Sequence, residues 1–230
     1  MNNLRSALLS KQDLKYKSFH SKIVPDTKYE IIGVRLPEIR IIAKSLSSED
    51  FYEFINREHF YYEEYLIHGL LLSKIKDEKE FYDRLNDYLP SIDNWAICDT
   101  VAASIRKSVK NKDVLYNNIE KWLKSEKAYT VRFGIVCLLN YFNNVKYHDN
   151  IINLISNIEF GEYYIDMAIA WLLSVMLITD YDKIKTLLEN QTFPQFIHNK
   201  TIDKARDSFR IEKEKKEYLK KLKYKEKTYE

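Results

Sequence analysis

The chain has 230 residues, 45% of them hydrophobic, which is enough to build a substantial core. Its formal net charge of +3 is too small to identify a partner by itself, because the distribution of charge matters more than the total. Only four glycines and four prolines occur, and this excludes the turn-rich pattern of a many-stranded sandwich or barrel. The composition predicts a helical globular protein.

The cysteines and the apolar runs predict a cytoplasmic location. Cys98 and Cys137 lie inside apolar runs without histidine or cysteine at metal-ligand spacing, so neither a zinc site nor a disulfide framework is indicated. The longest apolar run, 165–178, is too short to span a bilayer and contains Asp166. We expect it to be a buried core helix, and we expect no association with membranes.

Apolar residues at helical spacing recur along the chain with a period of about 34 residues. One series of apolar helices opens at Tyr61, Asn94, Ala128 and Tyr163, with offsets of 33, 34 and 35 residues. A more polar series alternates with it, opening at Lys76, Asn111, Tyr147 and Tyr181. Two interleaved helices per repeat are typical of stacked helical hairpins. The fold class predicted is therefore all-α, a right-handed α-α superhelix with a concave face, formed by a single domain over residues 1–230.

Local chemistry agrees with these boundaries. Pro37 suits the first turn of a helix, where its missing N–H costs nothing, and Ser48 opens another with acidic residues after it. Asp93 or Asn94 can cap the next helix, and Pro194 marks a turn before the last helical region. No linker is long enough to separate two domains.

Four side chains of the apolar helices should share one face. Trp95 and Asp99 are the second and sixth residues of their repeat, Arg132 is the fifth of the next, and Trp171 is the ninth of the one after. Equivalent positions of stacked helices line up across a groove, so these residues form a candidate site. The alternative is that the tryptophans belong to the core and that Asp99 and Arg132 form an inter-helix ion pair. An aspartate and an arginine there must be paired or exposed.

Four segments resemble the AlkD-type DNA alkylation repair proteins, a family of HEAT-like repeat DNA glycosylases. They are GVRLPEIRIIAK (33–44), the WxxxD of Trp95 and Asp99, SEKAYTVRFGIV (125–136) and AIAW (168–171). The resemblance covers roughly residues 15–210. It implies HEAT-like repeats that hold duplex DNA on a concave basic face, and a hydrolase that removes cationic alkylated purines such as 3-methyladenine and 7-methylguanine.

The same resemblance implies roles for the candidate residues. Trp95 and Trp171 match tryptophans that pack against the backbone at the lesion, Asp99 matches the catalytic carboxylate, and Arg132 matches a phosphate-binding arginine. No metal or other cofactor is required, because the alkylated base already carries the positive charge that makes it leave. We expect a monomer whose partner is alkylated duplex DNA, located in the cytoplasm and associated with the bacterial nucleoid when bound.

Two departures from the family pattern keep other hypotheses open. The family's Trp-x-Arg-Arg reads Tyr129 to Arg132 here, and its Leu-Arg-Glu after the last tryptophan reads Leu172 to Ser174. These changes remove charged groups, so this chain resembles a divergent branch of the family. A second hypothesis is therefore a DNA-binding protein that recognises distorted or damaged duplex without excising a base. A third is a protein-binding HEAT-repeat scaffold, which predicts no salt-dependent affinity for DNA.

Positive charge collects toward the C-terminus. Residues 204–230 hold eleven lysines or arginines against six acidic residues, and we expect a basic C-terminal helix at about 204–230. It can neutralise phosphates or be a solvated helix with pairs at i,i+4 spacing. The best candidates for phosphate contacts, by their closeness to the cluster, are Arg106, Lys107, Lys200 and Lys204, with Arg206 beside them.

The remaining titratable residues form no motif. Glu63 and Glu64 are candidates for a second carboxylate in the groove, but adjacent residues point different ways on a helix, so a surface role is expected for both. His59, His68, His148 and His198 are expected to be surface or packing residues.

Overall fold

The computed structural model describes residues 2–224, in which the chain forms fourteen α-helices and no β-strand. The chain divides into two compact units, Met1–Leu115 and Tyr116–Glu230. The helices of the first unit are α1 Asn2–Ser10, α2 Leu14–Ile23, α3 Leu36–Ser45, α4 Ser48–Ile55, α5 Tyr62–Leu72, α6 Glu78–Tyr88 and α7 Trp95–Ser104.

Helix α8, Lys112–Trp122, begins in the first unit and ends in the second. The helices of the second unit are α9 Ala128–Tyr141, α10 His148–Ser156, α11 Tyr163–Thr179, α12 Tyr181–Glu189, α13 Gln195–Asp207 and α14 Lys213–Lys221. Short 3-10 turns lie at Leu89–Ser91, Ile105–Lys107 and Val145–Tyr147.

Close approach of α5 and α7 builds the core of the first unit. Gly69 of α5 lies against Val101 of α7 and the ring of Tyr88, and a Cβ at this glycine would overlap both. Ile67 and Leu71 of α5 are fully buried on either side of it. The missing side chain thus sets the distance at which α7 packs.

Helix α11 is the centre of the second unit, packing against α9, α12 and α13. Its interior residues Ala168, Ile169 and Leu172 are fully buried, as predicted for the apolar run. Asp166 is buried as well, and its carboxylate accepts a hydrogen bond from the N–H of Gly161 at 3.1 Å. In the part of the chain that the structure describes, no helix is both long and apolar enough to cross a membrane.

The helix positions confirm the predicted repeat. The four apolar helices begin at or one residue after the predicted positions, as α5, α7, α9 and α11. The polar helices α6, α8, α10 and α12 begin within two residues of theirs. Within each unit successive helices pack against one another, so the predicted all-α class built from helical repeats is confirmed.

Candidate functional site

The N-terminus of α7 is fixed by two adjacent polar residues. Asn94 is the N-cap, and its side-chain oxygen accepts a hydrogen bond from the N–H of Ile97 at 2.9 Å. Asp93 instead binds the segment between α2 and α3, accepting from the hydroxyl of Thr27 at 3.0 Å and from the N–H of Lys28 at 2.7 Å. Both bonds hold that segment against the start of α7.

Trp95, the first residue of α7, is half-buried and oriented by the end of α2. Its indole Nε1 donates a hydrogen bond to the backbone carbonyl of Ile23 at 2.8 Å. Nearby, the hydroxyl of Tyr29 donates to the carbonyl of Ser91 at 2.6 Å. A buried indole N–H normally needs such a partner, and here the bond sets the direction of the ring.

Asp99 lies one helical turn after Trp95 and is also half-buried. The opposite face of α7 carries Ile97, Cys98 and Val101, which are all fully buried. Residues four apart on a helix have neighbouring side chains, so the carboxylate and the indole share the face that the core does not use. The first unit therefore contains the predicted pairing of Trp95 with Asp99.

Arg106 and Lys107 follow on the 3-10 turn that continues α7, and both are exposed. Ile105, at the start of the turn, is fully buried and anchors it. The two cations thus lie at the C-terminal end of the helix that carries Asp99, where positive charge also complements the helix dipole.

Arg132 and Trp171 lie in the second unit. Arg132, on α9, is buried, and its Nη1 donates to the backbone carbonyl of Tyr164 on α11 at 2.7 Å. The bond joins α9 to the first turn of α11, the helix that carries Trp171.

Trp171 is half-buried and lines a groove of about 320 Å³ in the second unit. Ser174 lies one turn further along α11, with its hydroxyl donating to the carbonyl of Trp171 at 2.7 Å. Lys204 and Arg210 contribute to the other side of the groove. The structure therefore brings Trp171 together with Lys204, and it places Trp95 with Asp99 in the first unit; the joining of these two pairs into one site stays a prediction.

Lys200 lies one turn before Lys204 on α13, and its Nζ is 5.8 Å from the centre of the Phe196 ring. Helix α13 ends at Asp207, and the basic segment continues in α14, Lys213–Lys221. Of the predicted basic helix at about 204–230, residues 225–230 lie outside the described residues.

The prediction of a surface role for Glu63 is wrong. Glu63 is buried, and its carboxylate accepts three backbone hydrogen bonds, from the N–H groups of Ile32 at 2.9 Å, Gly33 at 2.7 Å and Val34 at 3.0 Å. The φ of Gly33 is +99°, a conformation that side-chain-bearing residues rarely adopt. The positive φ of Gly33 and the carboxylate together fix the backbone that leads into α3.

The prediction for Glu64 is wrong for a related reason. This fully buried carboxylate accepts from the guanidinium groups of Arg5 and Arg57, each at 2.8 Å, and from the N–H of Phe60 at 2.9 Å. Burial alone would raise the pKa of Glu64, but the hydrogen bonds from Arg5 and from the N–H groups of Phe60 and Tyr61 lower it below its ordinary value. The carboxylate stays ionised and ties α1 to α5.

His59 and His68 form a direct pair that the sequence did not indicate. His59 Nε2 and His68 Nδ1 are 2.8 Å apart. Burial lowers the pKa of His59 to about 4 and that of His68 to about 3. Both rings are therefore neutral at pH 7, as expected of packing residues. Among residues 2–224, no three His, Cys, Asp or Glu side chains are placed to hold a metal ion.

The fold defines a helical-repeat protein, with an indole and a carboxylate one turn apart on α7 and exposed cations at the end of that helix. The model of the DNA alkylation repair enzyme family matches residues 1–209, and the chain belongs to this family. Its role is therefore in DNA alkylation repair, with DNA as the substrate. No curated protein matches the chain.

Proposed function

We propose that the protein is a monofunctional DNA glycosylase that hydrolyses the N-glycosidic bond of cationic alkylated purines in duplex DNA. The observation that carries the proposal is the pairing of Trp95 and Asp99 on the face of α7 that the core does not use, in a chain of the alkylation repair family. Asp99 is the catalytic carboxylate. Trp95 and Trp171 pack against the DNA backbone at the lesion.

The chemistry of the lesion explains why one carboxylate suffices. In 7-methylguanine and 3-methyladenine the base is already cationic, so it leaves with the electron pair of the glycosidic bond and becomes neutral without a general acid. Positive charge then develops on the deoxyribose. A carboxylate beside this sugar stabilises that charge, as in glycoside hydrolysis, and orients the attacking water. The water oxygen bonds to C1′, its proton passes to Asp99 or to solvent, and an abasic site remains.

Basic residues hold the duplex in this scheme. Arg106 and Lys107 lie on the turn after α7, Lys200 and Lys204 lie on α13, and each is a candidate for a phosphate contact. Arg132, whose Nη1 donates to the carbonyl of Tyr164, is proposed as a further phosphate contact. Each neutralised phosphate releases counterions, so the affinity should fall steeply as salt rises.

The direct test is release of free base from methylated duplex DNA. Duplex treated with dimethyl sulfate contains both 7-methylguanine and 3-methyladenine, and chromatography of the soluble fraction detects either base. We expect wild-type protein to release at least one of them without cleaving the DNA strand. Full retention of both bases after prolonged incubation with a molar excess of protein would contradict the proposal.

A second candidate function is recognition of damaged duplex without excision. It is favoured by the segment after Trp171, where Leu173 and Ser174 are buried and replace the charged residues of the family pattern. This alternative predicts tighter binding to methylated than to unmodified duplex in the absence of base release. The same chromatographic assay, combined with a binding titration, separates the two functions.

A further inference from the structure

Phe209 is the most exposed of the large apolar side chains in the described part of the chain. It lies in the loop between α13 and α14, and its side chain is 103% exposed relative to an extended reference. The next values are 69% for Leu14 and 61% for Ile41. Phe209 packs against nothing in the described part of the chain, so its ring is available for contact with another molecule.

The exposure of Phe209 is not the result of a loose loop. The N–H of Ser208 donates to the carbonyl of Ala205 at 3.2 Å, and the N–H of Arg210 donates to the hydroxyl of Ser208 at 3.2 Å. Ile211 is buried two residues after the phenylalanine. The loop is therefore anchored on both sides of the exposed ring.

Helix α14, which follows the loop, is also tied down on α13. Lys223 Nζ is 2.8 Å from the Asp203 carboxylate, and the buried His198 Nε2 donates to the carbonyl of Leu222 at 2.9 Å. Leu219 is fully buried. Phe209 thus lies in a short loop between two helices that are packed against each other.

The loop borders the groove that contains Trp171. Trp171 and Ser174 line one side of this groove, while Lys204, Asp207 and Arg210 line the other. Two cations face one carboxylate there, so the groove is net positive. Within residues 2–224 the Arg210 guanidinium has no ion-pair partner. Phe209 lies between Ser208 and Arg210, which both line the groove, so an exposed aromatic ring lies next to a net-positive groove. This combination suits a ligand with both flat apolar faces and negative charges.

We propose that Phe209 is a wedge that stacks against bases of bound duplex DNA, while Arg210 and Lys204 hold the adjacent phosphates. Apolar side chains inserted at a base step unstack it and unwind the duplex, and every base offers a flat face on which an aromatic ring can stack. This inference rests on the proposed function in requiring DNA on the Trp171 groove. It adds a distortion of the duplex that helps expose the sugar of the lesion.

Unwinding of closed-circular DNA tests the wedge. Plasmid is relaxed by a topoisomerase in the presence of full-length protein, and the change in linking number is read after the protein is removed. Wild type should unwind the plasmid, Phe209→Ala should lose most of this unwinding and bind duplex about tenfold more weakly, and Phe209→Trp should keep both properties. Phe19→Ala removes another exposed phenylalanine, 59% exposed on α2, and serves as the matched control.

A separate prediction concerns Arg210, the cation next to Phe209 in the loop. Arg210→Ala should weaken binding to all duplex sequences alike and reduce the slope of log affinity against log salt by about one. Phe209→Ala should leave that slope unchanged, because the ring neutralises no phosphate.

The outcomes separate this inference from the proposed function. If wild type releases 7-methylguanine while Phe209→Ala unwinds and binds like wild type, the wedge is overturned and the glycosylase stands. If wild type releases no base but unwinds plasmid in a Phe209-dependent manner, the wedge stands and the glycosylase is overturned. If Phe209→Ala instead changes the sedimentation of the protein and leaves unwinding intact, the ring is a protein contact and the inference is overturned.

Discussion

The indole Nε1 of Trp95 donates a 2.8 Å hydrogen bond to the backbone carbonyl of Ile23, 72 residues earlier in the chain. The bond joins the first residue of α7 to the end of α2. It fixes the ring on the same face as Asp99, so the orientation of a proposed substrate-contacting residue depends on a contact that a phenyl ring cannot make.

Trp95→Phe should therefore keep an aromatic ring but lose its orientation. We expect a loss of about 1 kcal/mol of stability, typical of one hydrogen bond, together with roughly tenfold slower base release. Tyr29→Phe is the control, because it removes another side-chain bond to a backbone carbonyl in the same region. Equal base release by the two variants would show that the indole bond has no part in the site.

Gly33 and Gly161 allow backbone strain to be separated from steric overlap. Both have positive φ, +99° and +113°, but a Cβ at Gly33 would lie 2.6 Å from Lys17 Cβ, whereas a Cβ at Gly161 would meet nothing within 4 Å. We expect Gly161→Ala to cost about 1 kcal/mol and Gly33→Ala about 3 kcal/mol in the free energy of unfolding. Denaturant titrations of both variants measure this difference, and equal losses would contradict the overlap.

Glu63 should be important for folding rather than catalysis. Glu63→Gln replaces one acceptor oxygen by an NH₂ group facing backbone N–H groups, and we expect it to cost about 2 to 4 kcal/mol because charge-assisted bonds are lost in a buried position. Glu58→Gln, at an exposed position, is the control. A Glu63→Gln protein as stable as the control would mean that the three bonds contribute nothing net.

The sequence predicts the repeat well because helix periodicity and caps are local signals. Ser47 rather than Ser48 provides the cap of α4, a difference of one residue. The burial of Glu63 could not be predicted in this way, because its partners lie about 30 residues away and are backbone groups without a residue signature. The one signal in the sequence is the pair of glutamates at the start of the otherwise apolar helix α5. If such carboxylates are buried, they need hydrogen-bond donors.

Sequence reasoning predicts only the part of the candidate site that lies on a single helix. The spacing of Trp95 and Asp99 places them on one face of a helix, and the structure has them there. By contrast, the exposure of Phe209 depends on where α13 ends and α14 begins, and the lysine-rich sequence gives no clear break at that point. The segment after α14 is held on α13 by long-range contacts such as the ion pair of Lys223 with Asp203, which a local sequence pattern does not indicate.

The histidine pair makes stability depend on pH. In the folded chain the pKa of His59 is about 4 and that of His68 about 3, whereas in the unfolded chain both are about 6.5. Below pH 6.5 the unfolded chain therefore binds more protons, and stability is lost as the pH falls from about 6.5 toward 4, at up to about 1.4 kcal/mol per pH unit per group.

Replacing both histidines by glutamine should flatten this dependence. Burial also lowers the pKa of His20 and His198, so we expect the slope between pH 6.5 and 5 to fall by about half in the double variant rather than to vanish. Denaturant unfolding at several pH values provides the measurement. An unchanged slope would mean that the pair is not the source of the proton uptake.

The most direct test of the account compares 7-methylguanine release by wild type and Asp99→Asn, with Asp113→Asn as a control at an exposed carboxylate on α8. We expect Asp99→Asn to slow release by at least about a hundredfold, the loss typical of removing one electrostatic stabiliser, with DNA affinity within about twofold of wild type. Equal rates of release by Asp99→Asn and wild type would contradict this expectation.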